Sequence, residues 1–287
     1  MVSELKRGLA ARPGLYRSAG RAHDLARFLS GRAHEPEFEW YRHAPAPPPG
    51  KIFLDVGANT GMSALSFRRH DRRTPILSIE ANPALAGTLR TVRRFIPGFD
   101  FRLAAAGAER GRMTLYTPMY RGMAITGEAS ADRPSPDDVF WIAEHVPELD
   151  EGDFCVRSTD VEVIPLDDLA LRPAHVKIDV EGAELEVLRG LERTLREHKP
   201  SVLVERSDAF EEIRELLSGL CYSPRRYDAD THVLEPYAGE EVQNVFFIAA
   251  KSCGDQPNFH GTITGTRQHE AEDEQERGDH SIISQPD

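Results

Sequence analysis

Cysteine is scarce in this chain. The three present, Cys155, Cys221 and Cys253, are scattered and odd in number. They offer neither a metal-binding spacing nor a disulfide framework, a pattern that fits a reducing cytoplasm. Positive charge is also in deficit: 35 Lys and Arg against 47 Asp and Glu leave a net charge of −12. That excludes the basic face on which nucleic-acid binding depends. No apolar run approaches the ~20 residues of a membrane span. The N-terminus carries basic residues but no apolar signal core, so secretion is not expected. What remains is a chain of 287 residues with 40% apolar content, enough for one large α/β domain with appendages or for two small domains.

One stretch organises the rest: Ile52-Phe53-Leu54-Asp55-Val56-Gly57-Ala58-Asn59-Thr60-Gly61. Apolar and β-branched residues run into a carboxylate and then a small-residue turn. Met62-Ser63-Ala64-Leu65-Ser66-Phe67 opens a helix behind it. A buried strand, a glycine turn and a helix N-terminus make a corner that cradles nucleotides. Gly57 and Gly61 permit positive φ or close backbone approach, and Asn59 tolerates the left-handed region. A dinucleotide-binding turn reads G-x-G-x-x-G and aims free N–H groups at a pyrophosphate. Here the turn is G-x-N-x-G, and Asp55 stands at the strand end before it. A carboxylate there repels a pyrophosphate. It suits a ligand with a cationic end, such as the amino group and sulfonium of S-adenosylmethionine. The bland reading is an ordinary strand-turn-helix corner.

Strand and helix patterns alternate around this corner. Residues 1–43 are Arg-rich, with an apolar edge at Leu25, Phe28 and Leu29; this reads equally as an appended helix or as a solvated basic arm. The run Ala44-Pro45-Ala46-Pro47-Pro48-Pro49-Gly50 is a stiff linker that closes an N-terminal region 1–50. Strands are expected near 52–56, 75–79, 99–103, 112–116, 161–164, 175–179, 201–204, 221–227 and 243–250. Asn82-Pro83 predicts a helix start with Asn82 as N-cap, and Leu85, Leu89, Val92 and Ile96 repeat at helical spacing. A second helix places Leu185, Leu188, Leu191 and Leu195 on one face, and Pro200 ends it. Residues 117–157 break the rhythm and read as a lid or substrate loop. Met119, Tyr120, Met123, Phe140 and Trp141 either contact a substrate there or cover the sheet edge. Residues 254–287 are acidic and poor in apolar residues, which predicts disorder. The domain proper is 51–253, a mostly parallel sheet with helices on both faces.

In such sheets ligands bind beyond the C-terminal ends of the strands. Carboxylates close four of these strands: Asp55, Glu80, Asp179 and Glu205. One alone means little; four on one rim are harder to dismiss. Glu80 follows Asp55 by 25 residues, near the spacing at which an acidic residue bonds ribose hydroxyls. Its bland reading is a helix-terminus charge. Asp179 is placed to orient or deprotonate a substrate hydroxyl. Glu181 and Glu184 start the next helix, where stabilising the helix dipole by ~0.3–1 kcal/mol is explanation enough. His145 and His175 are alternative bases. A divalent metal on Asp179 and Glu205 is conceivable by position, but no metal is indicated by their spacing.

Two stretches together carry a family resemblance. Leu54-Asp55-Val56-Gly57-Ala58-Asn59-Thr60-Gly61 and Lys177-Ile178-Asp179-Val180-Glu181-Gly182-Ala183-Glu184-Leu185-Glu186-Val187-Leu188-Arg189-Gly190 resemble the paired signatures of the FkbM family, class I S-adenosylmethionine-dependent methyltransferases. Ser201 to Glu205 and Gln243 to Ile248 resemble that family's later strands. The resemblance implies a Rossmann-like α/β fold: a seven-stranded, mostly parallel sheet with its last strand antiparallel. It implies methyl transfer to a hydroxyl oxygen of a sugar, a polyketide or a related natural product, the acceptor being a small molecule or a glycan. Carried over by position, Asp55, Gly57, Asn59 and Gly61, with Thr60 beside them, line the methionine end of the cofactor. Glu80 holds the ribose, with Asn82 next to it. Many methyltransferases place an acidic residue after the third strand for the adenine; this chain has Ala105-Ala106-Gly107, so backbone and apolar contact around Ala106 is expected instead. Asp179 is the first choice of catalytic base and Glu181 the second. A non-catalytic scaffold of the same fold and a nicotinamide-dependent oxidoreductase are the competing readings.

Overall fold

The computed structural model describes residue 33 and residues 35–140, 142, 146 and 150–250. The helix expected around 22–31, Trp141, His145 and the tail 254–287 lie outside the described residues. The alternating apolar runs form the strands expected of them. Eight strands make the main sheet: β1 (Ile52–Val56), β2 (Ile76–Glu80), β3 (Phe99–Leu103), β8 (Pro173–Ile178), β9 (Ser201–Glu205), β10 (Tyr222–Asp228), β11 (Val233–Pro236) and β12 (Asn244–Ala249). Their order is β11-β10-β12-β9-β8-β1-β2-β3. β3, β2, β1, β8 and β9 run parallel, whereas β12 is antiparallel to both β9 and β10. The sheet therefore has eight strands where seven were expected. The addition is β11, an edge strand paired only along β10 and ending on Pro236. An edge position tolerates the missing N–H of proline, and so short a run, half exposed at Val233, carries little periodic signal.

Four further strands form a second sheet in the order β4-β7-β5-β6: β4 (Ala105–Ala106), β5 (Gly111–Tyr120), β6 (Met123–Ala124) and β7 (Phe154–Ile164). The strands expected near 112–116 and 161–164 belong to one antiparallel ladder, from Gly111↔Val163 to Tyr120↔Phe154. Much of the irregular stretch after residue 117 is thus built on a regular base. It also has a small core of its own, in which Tyr120, Ile125, Val139 and Ile142 are buried.

Helices among the described residues include α1 (Met62–His70), α2 (Ala86–Phe95), α3 (Glu184–Arg189), α4 (Glu192–His198) and α5 (Phe210–Gly219). Asn82 caps the turn before α2 as predicted, its Oδ1 accepting from the Ala84 N–H at 3.0 Å. The single helix expected after residue 183 is broken into α3 and α4. Gly190 sits at the break because backbone crosses there: a Cβ on it would lie 2.0 Å from the Gly107 carbonyl oxygen. Asp167 restarts the chain as α4, its carboxylate accepting from the N–H groups of Arg193 and Thr194, both at 2.9 Å.

Side chains alternate between the two faces of each strand. Leu54, Val56, Val176, Ile178, Val202 and Val204 face Val187, Leu188, Leu191, Ile213 and Leu217 of α3 to α5. Phe53 and Leu203 face the other way, toward Phe67 of α1, Leu89 and Val92 of α2, and an N-terminal 3-10 segment, Pro36–Arg42. That segment is packed in, with Phe38 and Tyr41 buried and rings at 5.1 Å for Tyr41–Phe67 and 4.8 Å for Trp40–Phe246. Cys155 is free and exposed. Cys221 is disulfide-bonded, contrary to the expectation from cysteine scarcity. No helix among the described residues is long and apolar enough to cross a membrane.

Candidate active site

The chain leaves β1 toward β2 on one side and returns through β8 and β9 on the other, so the strand order reverses between β1 and β8. That crevice is where open α/β sheets bind ligands. Two turns meet across it. Gly57 has φ 86°, and a Cβ added there would lie 1.6 Å from the Asp179 carbonyl oxygen. Only glycine admits this approach. Asn59 takes φ 46°, in the left-handed region foreseen for it. Glu181 does the same at φ 56° before Gly182 at φ 102°; such a conformation costs a non-glycine residue on the order of 1 kcal/mol or more and is found where surroundings over-determine it. Glu184 supplies that bracing, its Oε1 accepting from the N–H groups of Val180 (3.2 Å) and Gly182 (3.0 Å).

Beyond the turns lies a cavity of about 220 Å³. Gly57, Asn59, Glu80, Asn82, Ala106, Asp179 and Glu181 all line it. Glu80 is buried at the end of β2. Its Oε2 accepts from the Asn59 N–H and its Oε1 from the Asn82 N–H, each at 2.7 Å. Burial raises its pKa and these two hydrogen bonds oppose the rise. The second sheet contributes Met113 and Leu115, and Thr126 to Asp132 close one wall. The apolar lining combines Met113 and Leu115 with Val56, Ile79, Val180 and the alanines at 104–106. Met119, Tyr120 and Met123 are buried in the second sheet, and Phe140 is exposed.

Three other expected cofactor residues do not reach the cavity. Asp55 is fully buried. It is the fourth residue of β1, not the residue beyond its end, so alternation turns it under the helices with Phe53. There Oδ2 accepts from Ser78 Oγ at 2.7 Å and Oδ1 has no hydrogen-bond partner among the described residues. Burial raises its pKa. Thr60 is not among the lining residues, nor is Gly61, where an added Cβ would lie 3.0 Å from Val92 Cγ2. His175 is also misplaced as a base. It lies under the N-terminal segment, bonded to Ser201 Oγ at 2.7 Å, and burial depresses its pKa to about 4.

At the open side Asp179, Glu181 and Glu205 bring carboxylate oxygens within 4.8 Å of one another. Burial, a hydrogen bond with Asp179 and the Asp179 charge push Glu205 up to about 8. Burial and the Asp179 charge push Glu181 up to about 7. Both glutamates are thus raised beside Asp179, whose own carboxylate is bonded to Lys177. Lys177 stands opposite Asp55 in the β1–β8 register, and its ammonium donates to Asp179 Oδ2 at 2.7 Å and Ser63 Oγ at 3.1 Å, with Glu35 Oε1 at 3.5 Å. Burial alone would depress Lys177; the charges of Glu35, Asp179 and Asp55 outweigh it and hold its pKa above the usual lysine range. Sequence reading gave Lys177 no role. The available signal was a lysine inside an otherwise apolar strand, which has to be paired if the strand is buried.

Comparison with known proteins decides the family. The profile of the Methyltransferase FkbM domain matches residues 55–228, more than half of the chain. The chain belongs to the FkbM methyltransferase family. Methyltransferase 1 of Beauveria bassiana is 29% identical over 170 residues, which are 57% of this chain and 68% of that protein. A solved FkbM methyltransferase from Methylobacillus flagellatus is 18% identical, over 75% of this chain and 50% of its own, at a TM-score of 0.44; this chain spans half the length of that structure. Aeropyrum pernix fibrillarin, solved with S-adenosyl-L-methionine, is 13% identical over 74% and 76% of the two chains at a TM-score of 0.38. Membership makes the chain a methyltransferase rather than an oxidoreductase, and S-adenosylmethionine the expected donor. The FkbM site's chemistry fits that donor. Glu80 retains carboxylate lone pairs for two adjacent hydroxyls after accepting its two N–H bonds. The N–H groups of Gly57 and Ala58 are taken by the Ile79 carbonyl and that of Asn59 by Glu80, and the acidic groups at the mouth favour a cationic group over a pyrophosphate.

Proposed function

We propose that this FkbM methyltransferase transfers a methyl group from S-adenosylmethionine to a hydroxyl oxygen of a sugar, a polyketide or a related natural product. The observation that carries the reading is the pairing of Asp179 with Lys177 beneath and Glu205 beside it, on the cavity wall. S-adenosylmethionine, when bound, supplies a methyl group already activated as a sulfonium. The protein's own task is then to hold the acceptor oxygen in line and remove its proton as it reacts. Asp179 is kept ionised by Lys177 and can take that proton, and Glu181 flanks it. Gly57, Asn59, Glu80, Asn82 and Ala106 would hold the cofactor, Glu80 through the ribose hydroxyls. Thr126 to Asp132 would form the acceptor-side wall.

The test is incubation of the full chain with deuterated-methyl donor and candidate acceptors, followed by mass spectrometry. A trideuteromethyl group on oxygen is expected; its appearance on carbon or nitrogen overturns the assignment. The same assay after dialysis against EDTA should give unchanged turnover, because Lys177 already supplies a cation on the inner side of the carboxylates. A loss restored by Mg²⁺ would show otherwise.

Cofactor placement has its own prediction. A ligand at 100 times its Kd stabilises a protein by ~2.7 kcal/mol. S-adenosylhomocysteine should therefore raise the melting temperature of the wild-type chain. Glu80→Ala should lose most of that rise at equal ligand concentration, and an undiminished shift in the variant would remove Glu80 from the ribose role.

A further inference from the structure

Glu35 stands outside the family-matched residues 55–228, yet it reaches the underside of the site. It begins the N-terminal segment that Phe38 and Tyr41 anchor in the core. Its carboxylate is 8% exposed, with Oε1 3.5 Å from Lys177 Nζ and Oε2 accepting from Asn244 Nδ2 at 3.4 Å. Asn244, at the start of β12, is likewise outside the matched residues and buried. Two segments outside the matched residues thus meet at Glu35, beside the lysine that holds Asp179.

We propose that Glu35 is a positioning residue for proton removal: by sharing Lys177 with Asp179, it leaves Asp179 ionised yet still basic. The proposal rests on the reading of Asp179 as base. In a desolvated setting an ammonium with a single carboxylate partner forms a neutral pair, and that carboxylate becomes a poor proton acceptor. A second carboxylate on the same ammonium divides its pull. The trio Glu35, Lys177 and Asp179 then carries one net negative charge, on the side facing the cavity. Other acidic groups also face this centre. Asp55, from β1, adds a smaller pull on Lys177 than Glu35 or Asp179, and burial raises its own pKa and that of Glu37, which faces the lysine from the N-terminal segment. Glu80, Glu181 and Glu205, on the cavity side, are likewise raised by burial.

The decisive experiment needs no acceptor. The full chain is labelled with ¹³C at the aspartate side-chain carboxyls, and the Asp179 signal is assigned by its loss in Asp179→Asn. Glu35→Gln should move the Asp179 titration midpoint downward, by about one pH unit, since Lys177 then turns wholly to Asp179. An unchanged or raised midpoint overturns the proposal. Glu35→Asp keeps the charge and should stay nearer the wild-type midpoint; if both variants behave alike, charge sharing is not the cause. With an acceptor in hand, Glu35→Gln should lower kcat roughly threefold to tenfold, as a weaker base does, with KM for the donor unchanged and the acid limb of the pH profile shifted down. Full turnover in Asp179→Asn would defeat the base assignment instead, and the carboxyl titration would still report on Glu35.

Discussion

Replacing Asp179 by asparagine should lower kcat by ~10²- to 10⁴-fold, the usual worth of a positioned general base. S-adenosylhomocysteine should still bind, because the corner of Gly57, Asn59 and Glu80 is untouched. The carboxamide is nearly isosteric and can keep its oxygen on Lys177, so a folding defect is not expected to confuse the result. A parallel loss of cofactor affinity would make Asp179 a binding residue. The substitution should also act on its neighbours. Glu205 titrates near 8 when folded, well above the ~4.3 of an unfolded glutamate. A group raised in this way binds its proton more tightly in the folded state. Its contribution to stability is full below about pH 4.3 and is lost as the pH climbs toward 8. Removing the Asp179 charge lowers the value for Glu205, so the fall in melting temperature between pH 6 and 8.5 should be shallower in Asp179→Asn than in the wild type. An equally steep fall would mean that the two carboxylates are not coupled.

What could be read from the sequence was whatever a local pattern dictates. The strands β1, β3 and β9 and the Asn82 cap follow from apolar alternation and turn chemistry that act within a few residues. The cavity-lining Gly57, Asn59, Glu80 and Asp179 follow from their places at or just beyond strand ends, since the rim of a parallel sheet is a position that sequence order defines. Asp55 shows where that logic stops. It was assigned to the rim as a strand-end residue, but Val56 occupies the end, and a shift of one residue turns a side chain from the rim to the buried face. β11 and the break at Gly190 depend on partners far along the chain, the edge of β10 in one case and the Gly107 backbone in the other. The link from Glu35 through Lys177 to Asp179 joins residues 142 positions apart in its first step, and no periodicity announces it.

Lys177→Met is expected to be the most destabilising single change at the site, by ~3–5 kcal/mol, the cost of breaking a buried ion pair from one side. Methionine fills much of the lysine stem, so the loss would report charge rather than a cavity. Lys177 is 1% exposed and Glu35 8% exposed, so little water is available to compensate the stranded carboxylates; Asp179, with a quarter of its side chain exposed, recovers part of its hydration. The sign with pH follows. Stranded in a buried setting, these carboxylates titrate above their ordinary range and take up protons as the pH falls, so the gap between wild type and variant in urea unfolding should narrow from pH 7 to 5. A Lys177→Met/Glu35→Gln double variant should be more stable than Lys177→Met alone, because one of the two unpaired charges is gone; coupled neighbours depart from additivity by 0.5–3 kcal/mol in such cycles. Strict additivity would mean that Glu35 and Lys177 do not interact, and it would leave the N-terminal segment as packing only.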